Sequence, residues 1–151
     1  MKIEITPVAF VRNLRTKPLD DDWSQFVSQI VLTQAIPNST LQGIDAFSHL
    51  EIIYYFDQVN AEDIVFENHP RGNPKYPKVG IFAQRKKDRP NQLGICTVEL
   101  LKLDGNQLTV KYLDAIDGTP VLDIKPVMRE FEPKSPIRQP DWATDLMKQY
   151  W

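Results

Sequence analysis

Short runs of apolar residues, alternating or rich in β-branched side chains, recur along the chain and constrain its fold more than any other feature. We identify eight runs, at residues 2–6, 8–12, 27–33, 49–56, 79–83, 93–103, 107–113 and 121–125. Almost all of the 12 prolines lie between the runs, which is typical of short strands joined by turns. Asp104-Gly105-Asn106 separates two of the clearest runs and predicts an antiparallel hairpin. Because closure removes exposed strand edges, we predict a mainly β fold, a small single-sheeted antiparallel β-barrel.

Helical signals are few and lie mostly at the end of the chain. Large apolar residues repeat every fourth position from Trp142 to Tyr150, which predicts a C-terminal amphipathic helix over 142–151 with Asp141 as its N-cap. Elsewhere we expect only short helical turns. We therefore predict a barrel domain over residues 1–133, followed over 134–151 by a linker and a helix that packs on the barrel or on a dimer partner.

Composition and motif content exclude several classes of protein. The single cysteine rules out an intramolecular disulfide, and two histidines with one cysteine cannot build a typical zinc site without carboxylates, so we predict no metal. The longest apolar run, 52–56, is far shorter than the roughly 20 residues of a membrane helix, and the start of the chain lacks a signal-peptide core. We therefore expect a soluble, cytoplasmic protein with no membrane contact. The six glycines form neither G-x-G-x-x-G nor a P-loop motif, which argues against a Rossmann-type nucleotide site.

The net charge of −2 conceals a strongly basic segment. Residues 71–89 contain seven Lys or Arg residues and one acid, so the rest of the chain is acidic. Such a segment would steer an anion to one face of the protein, with nucleic acids and nucleotides as the leading candidates. A solvated basic loop that binds nothing is the alternative.

Four polar loops contain the candidate functional residues, and the last of them, residues 123–126, places an acid and a base two positions apart. Residues 69–74, His-Pro-Arg-Gly-Asn-Pro, are stiffened by two prolines, and their glycine allows close approach of a ligand. In residues 85–92 a proline fixes the approach to Asn91, whose amide can donate to and accept from a base or a ribose. In residues 114–120 two carboxylates three positions apart flank a turn.

Several of these residues also have a purely structural interpretation. The stretch Asp117-Gly118-Thr119-Pro120 fits an ordinary turn. Asp123 and Lys125, two positions apart on one strand face, fit an ion pair better than a catalytic pair. His49 is more typical of a satisfied strand histidine than of a catalyst, whereas His69 lies in a polar loop. Cys96, within a predicted strand, fits a buried thiol rather than a nucleophile.

The segments FSHLEIIYYF, HPRGNP, GIFAQRKKDRPNQLGI and LDAIDGTPVLDIKPVMREF, in this order, resemble the TsaA-like (TrmO) family of tRNA methyltransferases. The resemblance runs from about Ile5 to Phe131. The family signature is close to FATRSPxRPNPIGLS followed by LDxxDGTPVLDIKPY, and this chain keeps the Arg, the Arg-Pro-Asn and the Gly of its first part. It departs from that signature at Lys86, Lys87, Gln92 and Cys96. These departures and the closing WATDLM tail indicate a Lys-rich sub-branch of the family.

The resemblance implies a barrel that binds S-adenosylmethionine without a Rossmann domain, usually as a homodimer. It also implies methylation of N6-threonylcarbamoyladenosine, next to the anticodon of tRNA. Carried over by position, the cofactor contacts are His69, Pro70, Arg71, Arg85, Ile95, Asp114, Ala115, Ile116 and Asp117. The catalytic candidates are Asn91 and Asp117, whose carboxylate could accept a hydrogen bond from a ribose or from the amine to be methylated. The cations expected to bind tRNA phosphates, besides Arg71, are Lys78, Lys86, Lys87 and Arg89.

Two other functions remain open at the level of sequence. Longer relatives carry a C-terminal extension that helps to hold tRNA, and this chain ends at Trp151 without it, so a methyltransferase acting on a small metabolite is one alternative. Because no side chain is indispensable to methyl transfer, a non-catalytic nucleotide- or RNA-binding barrel is the other.

Overall fold

Six of eight strands close into one antiparallel barrel in the computed structural model, which describes residues 1–151. The strands are β1 (Ala9–Arg12), β2 (Val27–Leu32), β3 (His49–Tyr55), β4 (Glu67–Asn68), β5 (Val79–Gly80), β6 (Leu93–Asp104), β7 (Gln107–Lys111) and β8 (Pro120–Pro126). Around the barrel their order is β1-β2-β7-β6-β3-β8, with β8 pairing back on β1. The short strands β4 and β5 form a separate two-stranded sheet. The predicted mainly β barrel is confirmed, as is the β6–β7 hairpin.

Alternating side chains fill the inside of the barrel. Along β3 the buried residues are Leu50, Ile52 and Tyr54, separated by partly exposed ones. The same period recurs on the other strands, and together these residues form one apolar core. Because the interior of so small a barrel is occupied by side chains, a ligand of any size must bind at an end or on the outside.

Two of the predicted strands differ in the structure. Residues 2–6 form no strand, because β1 is already paired on both edges by β2 and β8 and leaves no free edge for them. The apolar run 79–83 gives only the short β5, after which the chain turns into a 3₁₀ helix at Ile81–Ala83.

The C-terminal helix α1 spans Asp141–Leu146, so it is shorter than the sequence pattern predicts. Asp141 is its first residue rather than its N-cap, and Pro140 occupies the cap position. Beyond the helix the chain bonds to the barrel through its backbone. The carbonyls of Gln149 and Tyr150 accept hydrogen bonds from amides of the β1–β2 loop.

The strand register places three loops at one end of the barrel, which we call the mouth. They are the β1–β2 loop (13–26), the β3–β6 segment (56–92) and the β7–β8 loop (112–119). Antiparallel pairing puts the end of one strand beside the start of its neighbour, so these loops must meet. The pairs that mark this end are Phe10 with Pro120, Val27 with Lys111, and Tyr55 with Leu93. Three of the four polar loops identified in the sequence belong to the mouth, whereas residues 123–126 lie within β8.

Candidate functional site

The mouth contains a pocket of about 370 Å³, within the size range of small-molecule sites. Tyr54 and Gly94 are both buried and form its base; they face each other across β3 and β6. The polar lining comes from Gln84, Arg85, Arg89, Asn91 and Asp114. Ile95 also lines the pocket, so the structure brings together five residues that the sequence indicated, from the 85–92 loop, β6 and the β7–β8 loop.

Two arginines of the 85–92 loop keep their charge available to a ligand. Arg85 donates a hydrogen bond to the carbonyl of Ile95, and Arg89 donates to the carbonyl of Gln84 at 3.0 Å. Each guanidinium has five N–H donors, so these bonds to neutral carbonyls position the groups without using up their capacity. Arg85 and Arg89 therefore supply two positive charges at the wall of the pocket.

The lysines of the same loop are placed differently. The Nζ atoms of Lys86 and Lys87 lie 3.1 and 2.7 Å from the carboxylate of Asp88, and Lys78 pairs with Glu67 at 2.7 Å. Burial by itself raises the pKa of Asp88, but its hydrogen bonds to the two ammonium groups prevail and the net shift is downward. Four of the five lysines and arginines that we expected to bind phosphate, all except Arg89, thus have acidic partners and lie outside the pocket lining, since Arg71 pairs with Asp21.

Asn91 is held on the pocket wall in an uncommon backbone conformation. Its φ is 63° and that of Gln92 is 51°, a left-handed region that few residues other than glycine adopt. The Gln92 amide holds the turn, because it donates to the carbonyls of Phe56 and Val59 and accepts from the Tyr55 hydroxyl at 2.7 Å. The exposed Asn91 side chain is therefore presented from a fixed position, as is common at functional sites.

The carboxylate of Asp114 lines the pocket and accepts hydrogen bonds from two phenols. Tyr54 donates to Oδ1 at 2.6 Å, and Tyr150 from the end of the chain donates to Oδ2. Burial raises the pKa of Tyr54 and of Tyr150, and the negative charge of Asp114 adds to the effect. Both phenols therefore remain protonated donors at neutral pH and fix the plane of the carboxylate.

The 69–74 loop, part of the β3–β6 segment of the mouth, contacts the β1–β2 loop rather than the pocket. His69 Nδ1 is 2.7 Å from the carbonyl oxygen of Tyr76, and Pro70 is buried. Arg71 has a φ of 51° and forms two bonds, of 3.0 and 2.7 Å, with the carboxylate of Asp21. Arg71 is thus next to Asp20 and Asp21, and none of the three predicted cofactor contacts in this loop lines the pocket.

Two residues of the β7–β8 loop, Asp117 and Ala115, connect it to the β1–β2 loop. Asp117 Oδ1 accepts a hydrogen bond from the backbone N–H of Asn13 at 3.2 Å, and its own N–H donates to the carbonyl of Arg15 at 2.8 Å. The carbonyl of Ala115 accepts a hydrogen bond from the side-chain amide of Asn13 at 2.9 Å, and both Ala115 and Ile116 are buried. Of the four predicted contacts in this loop, only Asp114 lines the pocket.

Sequence reasoning missed three residues that shape the mouth. Arg15 is only 6% exposed; its guanidinium stacks 3.7 Å from the centre of the Trp23 ring and donates to the carbonyl of Asp21. No local pattern indicated that role. For Tyr54 a signal existed, because a glycine within a strand, here Gly94, often marks the close approach of another group. The third residue is Tyr150, which the sequence placed on a helix face.

The residues to which the sequence analysis also assigned a structural role form contacts within the protein. Asp123 and Lys125 form the predicted ion pair. His49 is exposed and bonds the hydroxyl of Ser48 at 2.8 Å. Cys96 is buried against the carbonyl of Tyr112, and burial raises the pKa of its thiol. No group of three His, Cys, Asp or Glu side chains is arranged to hold a metal ion, and no helix has the length and apolarity to span a membrane.

The fold and the pocket define the class of this protein: a closed β-barrel with a pocket at its mouth lined by charged side chains and no glycine-rich phosphate loop. Comparison with models of known protein families identifies the family within this class. The model of the tRNA-methyltransferase O N-terminal domain matches residues 13–132. The chain therefore belongs to this family, as the sequence motifs predicted.

Individual relatives agree with this assignment. A probable S-adenosyl-L-methionine-binding protein of Methanothermobacter thermautotrophicus is 37% identical over 135 residues, which cover 87% of this chain and 95% of the relative. Another such protein, of Pyrococcus abyssi, is 38% identical over 65% of this chain but only 51% of its own length. The human tRNA (adenine(37)-N6)-methyltransferase is 33% identical over 69% of this chain, which spans 23% of that enzyme.

A solved structure supports the fold. The crystal structure of TrmO from Pseudomonas aeruginosa superposes with a TM-score of 0.74 at 23% sequence identity. The match covers 91% of this chain and 61% of that chain. At this identity the likeness establishes the barrel fold alone.

Proposed function

We propose that this protein is an S-adenosylmethionine-dependent methyltransferase that modifies the N6 position of an adenine in tRNA. The observation that carries the proposal is the pocket at the mouth, which joins Asp114 to Arg85, Arg89 and Asn91 in a chain of this family. The acceptor we favour is N6-threonylcarbamoyladenosine next to the anticodon. The human relative, a tRNA (adenine(37)-N6)-methyltransferase, supports the class of reaction, and the Methanothermobacter relative, a probable S-adenosyl-L-methionine-binding protein, supports the cofactor.

The groups around the pocket fit the chemistry of S-adenosylmethionine. This cofactor combines a sulfonium and an ammonium, which are cationic, with a carboxylate and a nucleoside. Asp114 supplies a fixed anion and Arg85 a cation, so both signs of charge on the ligand find a partner. The Asn91 amide and the carbonyl groups of the loops can bond a ribose or a base edge, and Leu93 and Ile95 provide apolar surface.

Methyl transfer requires little acid–base catalysis by the protein. S-adenosylmethionine, when bound, supplies a methyl group activated by the positively charged sulfur. The chemistry supplied there would be an exchange at the N6 nitrogen of the acceptor: the methyl group would replace the proton on that nitrogen, water would take up the proton, and the neutral thioether would leave. The residues of the mouth act by holding donor and acceptor in line at close distance and by limiting access of water. We assign orientation of the donor to Asp114 and Arg85, and orientation of the acceptor to Asn91.

We propose that the basic rim binds the phosphate backbone of the tRNA loop. Arg89 is the best placed cation, because it lines the pocket and has no acidic partner in the salt bridges of its loop. Lys86 and Lys87 share one carboxylate, which leaves a net positive charge on the pair. Phosphate contacts of this kind position the substrate, while the pocket selects the base.

We further propose that the protein acts in the cytoplasm as a homodimer. Phe82, Leu93 and Ile95 are 80%, 41% and 42% exposed and lie together at the pocket, where a second copy could cover them. The variant Phe82→Asp should be monomeric by analytical ultracentrifugation, whereas Phe131→Asp, at an equally exposed phenylalanine away from this pocket, should leave the wild-type state unchanged. A monomeric wild-type protein would refute the dimer and leave the reaction intact.

The reaction is tested by incubating purified protein with S-adenosylmethionine and tRNA, followed by mass spectrometry of the nucleosides. We expect methylated N6-threonylcarbamoyladenosine to accumulate with the wild-type protein. Arg85→Ala and Asp114→Asn should each abolish or strongly reduce the product, and Lys102→Ala, at the other end of β6, should not. Cofactor binding without product would favour a binding protein, and turnover of a small amine instead of tRNA would refute the substrate.

A further inference from the structure

The end of the chain, residues 141–151, binds across the mouth of the barrel, and we call it the C-terminal strap. It begins with α1, whose Asp145 accepts hydrogen bonds from Tyr76 at 2.8 Å and from Lys75 at 3.1 Å. Farther along, the carbonyls of Gln149 and Tyr150 accept from the amides of Asp22 and Trp23 at 2.9 and 3.0 Å. The strap lies outside the residues that match the family model, which end at 132. It therefore adds contacts that membership of the family does not account for.

One side chain of the strap reaches a polar group of the pocket. The Tyr150 hydroxyl donates to Oδ2 of Asp114, on the opposite side of the carboxylate from the Tyr54 bond to Oδ1. A carboxylate has about four lone-pair positions, so two phenols fix its plane and leave acceptor positions for a ligand. Tyr54 belongs to the core of the barrel, so Tyr150 is the half of this clamp that the strap supplies.

Aromatic packing fixes the position of the Tyr150 ring independently of its hydroxyl. The ring stands edge-on to Trp151 with centroids 5.0 Å apart, and Trp151 in turn packs on Tyr112 at 5.8 Å. The backbone bond from the Trp23 amide to the Tyr150 carbonyl does not involve the side chain at all. Removing the hydroxyl alone should therefore leave the strap docked and release only the carboxylate.

We propose that Tyr150 is a positioning residue for the cofactor, acting through Asp114. This inference rests on the proposed function, since it takes the pocket to be the S-adenosylmethionine site. The Tyr150 hydroxyl holds the Asp114 carboxylate in the orientation that receives the ligand, and the strap places that hydroxyl at the pocket. A chain of this family without the strap would need another donor at the same place.

The test is isothermal titration of S-adenosylmethionine into wild-type, Tyr150→Phe, Asp114→Asn and double-variant proteins. We expect Tyr150→Phe to weaken binding about tenfold, the scale of one hydrogen bond to a charged group. In the Asp114→Asn background the same change should alter affinity less than about twofold, because the residue through which it acts is already changed. With bulk tRNA as acceptor, the KM for S-adenosylmethionine should rise in Tyr150→Phe while kcat stays within about twofold.

The matched control is Tyr76→Phe, which also removes one strap hydroxyl bond, to Asp145, but does not touch the pocket. It should bind S-adenosylmethionine as the wild type does. A chain that ends at Gln149 removes the Tyr150 hydroxyl by another route and should bind at least as weakly as Tyr150→Phe, with folding of each variant checked by circular dichroism.

Four results would overturn the inference while the proposed function stands. These are wild-type affinity in Tyr150→Phe, equal losses in Tyr76→Phe and Tyr150→Phe, additive losses in the double variant, or a fall in kcat at constant KM. A wild-type protein that gives no heat with S-adenosylmethionine would instead remove the proposed function and the inference together.

Discussion

Replacing Gly94 with alanine should disrupt the base of the pocket, because the Tyr54 ring occupies the space that a side chain would need. Gly94 is paired with Tyr54 across β6 and β3. A Cβ atom built on Gly94 would lie 2.3, 2.5 and 2.9 Å from three carbons of that ring, whereas unstrained carbon contacts are about 3.5–4.0 Å. The ring must therefore move by about 1 Å or more, and its hydroxyl bond to Asp114, now 2.6 Å, is lost or distorted.

The expected cost has two parts. Overpacking of a filled core costs about 1–3 kcal/mol, and loss of a buried hydrogen bond about 1 kcal/mol more. We therefore expect the free energy of unfolding to fall by about 2–4 kcal/mol, and the melting temperature by about 5–12 °C for a domain of this size. Because the displaced ring also forms the base of the pocket, affinity for S-adenosylmethionine should fall as well.

The assay is urea unfolding followed by tryptophan fluorescence, with Gly80→Ala as the control. Gly80 is extended and a Cβ there would meet only the carbonyl of Phe66 at 4.0 Å, so its replacement should change stability by less than about 0.5 kcal/mol. If Gly94→Ala were as stable as Gly80→Ala and bound the cofactor normally, Tyr54 would not lie over Gly94 and the account of the pocket base would be wrong.

Three further predictions test the surroundings of the pocket. The pKa of Asp88 is lower in the folded than in the unfolded protein, so its carboxylate stabilises the fold at pH values above its unfolded pKa of about 4. This stabilisation is lost as the pH falls through the lower folded pKa. The difference in unfolding free energy between wild type and Asp88→Asn should therefore be constant near neutral pH and shrink as unfolding is repeated at more acidic pH. Arg71→Ala removes a two-bond contact with Asp21 and should lower the free energy of unfolding by about 1 kcal/mol, and by less at high salt. Lys78→Ala, which removes an exposed pair with Glu67, should lower it by under about 0.5 kcal/mol. Equal losses in the two variants would contradict this prediction. Arg89→Ala should weaken tRNA binding at all salt concentrations and reduce the slope of log affinity against log salt by about one in filter binding, and an unchanged slope would exclude Arg89 as a phosphate contact.

Local patterns were sufficient to predict the barrel. The hairpin at Asp104-Gly105-Asn106 and the ion pair between Asp123 and Lys125 depend on residues close in sequence, and both are present. Residues 2–6 have the same alternation, yet they form no strand because the closed sheet offers them no edge. Pattern alone cannot tell which of several strand-like segments a closed sheet admits.

The site was only partly predictable, for a related reason. The 85–92 loop gave Arg85, Arg89 and Asn91 directly, since a dense polar loop is visible in the sequence. The contacts of Asp114 with Tyr150 and of Asn13 with Asp117 join residues 36 and 104 positions apart, and they arise only when the barrel brings its loops to one end. The family motif indicated which loops matter, but the register of the sheet decides which of their side chains reach the pocket.

The most direct test of the proposed site is a crystal structure of this protein grown with S-adenosylmethionine. We expect the cofactor at the mouth of the barrel, with a polar atom of its nucleoside or methionine part within hydrogen-bond distance of Asp114 and Arg85, and its methyl group open to the side of Asn91. Cofactor bound elsewhere on the molecule, with these three side chains contacting only water, would contradict the account.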